Sequence, residues 1–164
     1  MSDAIETQTE DIFIERVFDA PRDQVWRCWT EPDNLMKWWG PRNFTSPAAT
    51  IDFRVGGKYH FCMRMPDGKE MWSTGNYLEI VPMERLVFTD SFADPEGNVV
   101  SGTYYGMGDI YPAVLKVTLT FEKVEDRTRF KLHHEGIPAS EISACTQGWI
   151  EMLDKLEAAL ARLR

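Results

Sequence analysis

The sequence predicts an α+β domain in which an antiparallel sheet is covered on one face by a single long C-terminal helix. Three observations carry the prediction. Over Ala139 to Leu163 the apolar residues Ile142, Cys145, Trp149, Met152, Leu153, Leu156, Leu160 and Leu163 recur mostly at steps of three and four, the period of one helical face. From about residue 49 to residue 134, apolar and polar residues instead alternate in short runs separated by turn signals, the period of strands. Strands that follow one another with short turns, with no intervening helices and no glycine-rich phosphate loop, pair antiparallel. A sheet with one apolar face needs a cover, and the terminal helix is the only long segment available for it.

Taken in order, Met1 to Asp11 is polar and acidic and reads as a flexible N-terminal segment, with one domain over residues 12–163. Ile12 to Phe18 reads as a strand. Asp19-Ala20-Pro21 breaks it, and Pro21 with Asp23 suits the first turn of a helix, where the missing N–H of proline costs nothing and an acidic side chain meets the positive helix end. Val25, Trp26 and Trp29 give that helix its apolar face. Thr30-Glu31-Pro32-Asp33 opens a second short helix that runs to about Trp38 and stops at Gly40-Pro41.

Strands follow over Ala49–Val55, Lys58–Met65, Met71–Val81, Leu86–Phe92, Val117–Phe121 and Phe130–His134, with Pro66-Asp67-Gly68-Lys69 as a hairpin turn. In the strand after that turn, Trp72, Thr74, Asn76, Leu78 and Ile80 are read as sharing one face. Residues 93–112 form a loop longer than a compact domain ordinarily carries. In the final helix, Gly148 costs about 0.5–1 kcal/mol relative to alanine, which predicts that a neighbour packs closely there, beside Trp149.

Composition narrows the function. A net charge of −8 argues against nucleic acid and anionic membrane surfaces, where Lys and Arg must dominate. It reads as solubility ahead of an acidic docking face. No apolar run is long enough to span a bilayer or to serve as a signal peptide. Cys28, Cys62 and Cys145 are an odd count without CxxC spacing, so a reduced, cytoplasmic location is the simplest account. Together with His60, His133 and His134 they make no zinc-ligand pattern, and neither metal nor cofactor is expected. Six Trp, nine Phe and five Tyr point to an aromatic-lined interior.

Several motifs stand in a characteristic order: Trp38-Trp39-Gly40-Pro41, Asp52-Phe53-Arg54-Val55-Gly56-Gly57-Lys58-Tyr59, Pro66-Asp67-Gly68, Arg85-Leu86-Val87-Phe88-Thr89, and Gly148-Trp149 before Leu153. In these the chain resembles the family of domains related to the heat-shock-protein-90 ATPase activator, within the START-like (SRPBCC) superfamily, over about residues 12–163. The resemblance implies a helix-grip fold, a curved antiparallel sheet wrapped around the C-terminal helix with a cavity between them. The eukaryotic co-chaperone has a separate N-terminal domain that contributes to chaperone binding, and no such domain is expected here. The fold hosts lipid carriers, hormone receptors and cyclases, so it does not by itself name an activity.

Within such a cavity Trp38 or Trp39, with Phe44, would form the rim. Tyr59, Phe61, Trp72, Phe88, Trp149 and Met152 would line the walls, and Asn76, Asp90 and His134 would supply the polar groups. For each, packing inside the core is the competing reading. Adjacent residues of a strand point to opposite faces, so His134 faces inward with Phe130 and Leu132 while His133 faces solvent with Lys131. The loop's Tyr104, Tyr105, Met107 and Tyr111 do not suit bare solvent. They are read as a lid over one end of the cavity, with a hairpin extension at the sheet edge or a dimer contact as alternatives. The function these features favour is binding of a hydrophobic or aromatic small molecule. A cyclase or hydrolase using His134, Asp90 or Asn76 in the same cavity is the alternative, as is a co-chaperone-like protein-interaction role with a link to stress response. A homodimer is compatible with all three.

Overall fold

The structure is a computed structural model describing residues 8–163. Its elements are β1 (Thr9–Phe18), α1 (Arg22–Thr30), α2 (Pro32–Leu35), β2 (Ala49–Ile51), β3 (Lys58–Arg64), β4 (Glu70–Val81), β5 (Arg85–Ala93), β6 (Leu115–Val124), β7 (Arg127–Pro138) and α3 (Ile142–Arg162). The strands form one seven-stranded sheet in the order β1-β7-β6-β5-β4-β3-β2, antiparallel throughout. Consecutive strands from β2 to β7 are neighbours, as hairpin connections dictate. The long-range step is the pairing of β1 with β7, which brings the two ends of the domain together at one edge.

The register sorts side chains into two faces. Ile12, Ile14 and Phe18 of β1 lie on the same face as Leu132 and His134 of β7, Val117 and Leu119 of β6, and Leu86, Phe88 and Asp90 of β5. This is the face that α3 covers, through Trp149, Met152, Leu153, Leu156, Ala159 and Leu160. The helix is also fastened at the β1 edge, where Arg16 Nη1 lies 2.8 Å from Asp154 Oδ1 and 3.4 Å from Glu157 Oε1. Helix α1 adds Val25, Trp26 and Trp29 to the same core. The apolar stripe of α3 thus meets the apolar parity of the strands, and burying both is what holds the domain together.

Several boundaries differ from the sequence reading. Strand β1 begins at Thr9, because Thr9 and Glu10 pair with Pro138 and Ile137. Residues 9–11, read as part of a flexible N-terminal segment, are therefore strand, and the first seven residues of that segment lie outside the described ones. Helix α2 ends at Leu35, and the chain continues to Trp39 through single turns closed by bonds from the Trp38 and Trp39 amides to the Leu35 carbonyl. Strand β2 is only three residues long. After Ile51 the chain turns on Asp52, whose carbonyl accepts from the Arg54 amide and whose carboxylate holds the Arg54 guanidinium at 3.0 Å. A Cβ on Gly57 would stand 2.0 Å from the Asp52 carbonyl oxygen, so only glycine passes there.

The larger correction concerns β4. Tyr59, Phe61 and Met63 pair with Gly75, Ser73 and Met71, which places Met71, Ser73 and Gly75 on the covered face. Trp72, Thr74 and Asn76 point the other way. The register then shifts between Tyr77 and Glu79, so that Tyr77 opposite Phe88 and Ile80 opposite Leu86 both face inward although they are three residues apart. Leu78, at the irregularity, is left 49% exposed. A bulge changes side-chain parity, and a strict alternation drawn through it misassigns one side of the strand.

Candidate functional site

Between α3 and the covered face lies a cavity of about 290 Å³. Its walls are apolar. Trp149 and Met152 descend from α3, Met63 and Met71 rise from β3 and β4, and Trp39 closes one side, its ring edge-on to Trp149 with centroids 6.1 Å apart. Met107 and Tyr111 come in from the loop after β5, Tyr111 packing edge-on against Phe92 at 5.3 Å. Partial exposure of Met71, Met107, Tyr111 and Glu141 marks the mouth.

The polar atoms are few. His134 is 4% exposed on β7, across the sheet from Asp90 of β5. The Trp149 indole donates its N–H to His134 Nδ1 at 3.0 Å. That nitrogen therefore accepts, and the ring proton sits on Nε2. Nε2 lies 3.4 Å from Asp90 Oδ2 yet makes no hydrogen bond, and the Trp39 indole N–H is likewise without a partner. Buried donors are ordinarily satisfied, so orphans in a cavity wall stand out. Cys145, also in the wall, has its thiol pushed up to about 12, chiefly by burial and then by Asp90 and Glu141, which keeps it from acting as a thiolate nucleophile.

The expected site residues divide. Trp39, Asp90, His134, Trp149 and Met152 border the cavity, as do Met107 and Tyr111 of the loop. Trp38 does not form the rim: it is fully buried, donates its indole N–H to the Cys28 carbonyl at 3.0 Å and packs edge-on to Trp29. Phe44 also stays off the wall, and its carbonyl, with those of Gly40 and Pro41, accepts from the Lys155 ammonium. Tyr59, Phe61 and Phe88 pack in the layer behind. The Tyr59 ring rests where a Cβ on Gly75 would be 2.7 Å away, and its hydroxyl donates to the Thr89 carbonyl at 2.7 Å.

The face reversal in β4 removes Asn76, which is exposed beside Lys58. It also turns the Trp72 ring outward onto His60, stacked at 4.3 Å, although Trp72 still borders the cavity. Tyr104 is exposed. Tyr105 anchors the loop to the sheet by donating to the Ala93 carbonyl and accepting from the Trp72 amide at 3.0 Å.

The sequence reading missed Met63, Met71, Phe92, Glu141 and Cys145. One signal for two of them was present. Glu141, Cys145, Gly148 and Met152 follow the 4-3-4 spacing of a single helical face. Small residues within that stripe mark where a helix leaves room. Gly148 is correspondingly uncrowded: a Cβ there would find Pro41 Cγ at 3.8 Å and nothing nearer, which corrects the expectation of close packing.

On the uncovered face, Asp11, His133 and Glu135 bring one potential ligand atom each to within 4.8 Å of one another, a cluster the sequence reading did not anticipate. Asp11 sits at the β1 irregularity, 2.8 Å from His133 Nε2, and accepts from the Gly136 amide at 3.2 Å. These bonds, with His133 first, hold its carboxyl below the usual value. They account for the group as a clasp between the edge strands.

A curved antiparallel sheet, a long C-terminal helix against it and a cavity between the two define a START-like (SRPBCC) domain. Comparison with known proteins narrows the class. The chain belongs to the family described as Activator of Hsp90 ATPase homolog 1-like protein, which matches residues 19–161. It is 26% identical over 139 residues to the activator of 90 kDa heat shock protein ATPase homolog 1 of Homo sapiens, an alignment covering 84% of this chain and 33% of the relative. The chain thus spans about a third of the length of the curated relatives it matches. Among solved structures, a protein from Arthrobacter aurescens is similar with TM-score 0.76 and 26% identity, covering 96% of this chain and 92% of that one. A protein from Chromobacterium violaceum has TM-score 0.74 and 29% identity, with 92% and 96% covered. Among the described residues no helix is long and apolar enough to cross a membrane.

Proposed function

We propose that this domain binds a small hydrophobic or aromatic molecule in the cavity between α3 and the sheet, with Trp39, His134, Trp149 and Met152 as its principal contacts. The observation that supports this best is the His134 Nε2–H, buried and without a hydrogen-bond partner in a mostly apolar wall. A satisfied core histidine would carry no such orphan, whereas a ligand acceptor would complete it. A volume of about 290 Å³ lies at the lower end of ligand pockets, typically ~300–1,000 Å³. That size favours one or two rings over a long acyl chain. Binding is favoured over catalysis by the chemistry of the same group: Nδ1 is engaged by Trp149, Nε2 carries the proton, and the nearby thiol is held protonated. A cytoplasmic location fits the three unpaired thiols, two of them buried. The site lies within one copy of the chain, so binding requires no homodimer.

A thermal-shift screen of aromatic and lipid-like compounds tests the reading, run in parallel on the Gly148→Leu variant, whose side chain would occupy the cavity. Hits that stabilise the wild type and not the variant are expected, worth about 2.7 kcal/mol at 100 times the dissociation constant. No hits, or equal hits on both proteins, would overturn it.

Similarity to the heat shock protein ATPase activator supports a second reading, contact with a chaperone through the domain surface. Stimulation of a chaperone ATPase by the purified protein is its test, and an unchanged rate across a saturating titration counts against it.

A further inference from the structure

The charges around the cavity restrict what can enter it. Two carboxylates border it, Asp90 from β5 and Glu141 from the turn before α3, and none of the described residues lining it is Lys or Arg. Lys155, the nearest basic residue of α3 along the chain, is turned away onto the carbonyls of Gly40, Pro41 and Phe44. The carboxylates already act within the space, since both add to burial in raising the Cys145 thiol. An anionic ligand would bring a further negative charge into a low-dielectric site with no cation to meet it.

Next to one of these carboxylates stands a donor. His134 Nε2–H has no hydrogen-bond partner and lies 3.4 Å from Asp90 Oδ2. Two atoms at that separation can both be reached by a single oxygen at ordinary hydrogen-bond length. A hydroxyl does this with both valences satisfied, accepting from Nε2–H and donating to the carboxylate. A ketone or ether answers only the histidine, an ammonium only the carboxylate, and a bare hydrocarbon neither. Sites that hold buried polar groups in this way discriminate by leaving those groups unpaired when the matching function is missing.

Resting on the reading of the cavity as a ligand site, we infer that it selects uncharged aromatic alcohols or phenols and rejects carboxylic acids of the same skeleton, the ligand hydroxyl sitting between His134 Nε2 and Asp90 Oδ2. The aromatic part lies against Trp39 and Trp149.

Four probes on one skeleton test this by titration calorimetry at neutral pH: 2-naphthalenemethanol, naphthalene, 2-naphthoate and 2-naphthylmethylamine. The alcohol is expected to bind at least tenfold more tightly than the acid and several-fold more tightly than the hydrocarbon or the amine. Asp90→Asn, isosteric and still an acceptor, is expected to narrow the alcohol–acid gap mainly by strengthening the acid. Glu141→Gln narrows the same gap from the mouth and serves if the first variant unfolds. An acid bound as tightly as the alcohol, an amine bound more tightly, or a gap unmoved by both variants would overturn the inference and leave the ligand site standing. Failure of all four probes to bind would overturn the ligand-site reading and the inference with it.

Discussion

Replacing Gly148 by alanine separates two accounts of α3. Glycine in a helix interior costs about 0.8–1 kcal/mol relative to alanine in propensity alone. In the structure the added methyl would have its nearest neighbour, Pro41 Cγ, at 3.8 Å, an ordinary contact that needs no movement. Gly148→Ala should therefore stabilise the domain by about 0.5–1 kcal/mol, since propensity is gained without strain. For a chain of this size 1 kcal/mol corresponds to roughly 2–4 °C in Tm. Urea unfolding followed by far-ultraviolet circular dichroism reads the change as a higher midpoint at unchanged slope. If the glycine were instead kept for close packing, the methyl would act as overpacking and cost about 1–3 kcal/mol. The two accounts differ in sign, so a loss of more than about 0.5 kcal/mol would refute the reasoning. In that case the open space beside Gly148 would not exist as described.

Trp149→Phe removes the donor to His134 Nδ1 and leaves a buried acceptor unpaired, at about 1–3 kcal/mol beyond the smaller loss from the shrunken ring, so a urea midpoint unchanged from wild type would refute that bond. Burial pushes the Cys28 thiol from 9.0 up to about 11, and for an acid whose folded value is raised, the stability is present below pH 9 and lost as pH rises through 11. Two pH units correspond to at most about 2.7 kcal/mol, so wild type should lose more stability than Cys28→Ala between pH 8.5 and 11, and parallel curves would show the thiol to be accessible when folded. Met107 and Tyr111 border the cavity from a loop with Gly106 and Gly108 at positive φ. Amide exchange over residues 102–111 should therefore slow when 2-naphthalenemethanol binds, and unaltered exchange under saturating ligand would rule out a lid.

Most of the fold was legible in the chain because its signals are local. The 3–4 spacing from Ile142 to Leu160 specifies a helix with one apolar side, and Pro66-Asp67-Gly68 specifies a hairpin, whatever surrounds them. The inward direction of His134 followed from parity within an unbroken strand, and the pairing of β6 with β7 agrees with it. The motif order from Trp38-Trp39 to Gly148-Trp149 carried the family, to which residues 19–161 belong.

What required the tertiary structure was everything set by register between distant segments. Residues 9 and 10 became strand only because Pro138 and Ile137 lie beside them. Asn76 left the expected site and the Trp72 ring turned outward because pairing with β3, not the composition of β4, decides which parity of this stretch faces α3. Trp38 and Trp39 are indistinguishable as neighbouring letters. One is core and the other cavity wall because the turn after α2 aims them differently. The meeting of His134 with Asp90 and Trp149 joins three elements across 59 residues of sequence. Periodicity records which side of an element is apolar, but a site is made where separate elements converge, and that convergence is fixed by the pairing and packing of the whole domain.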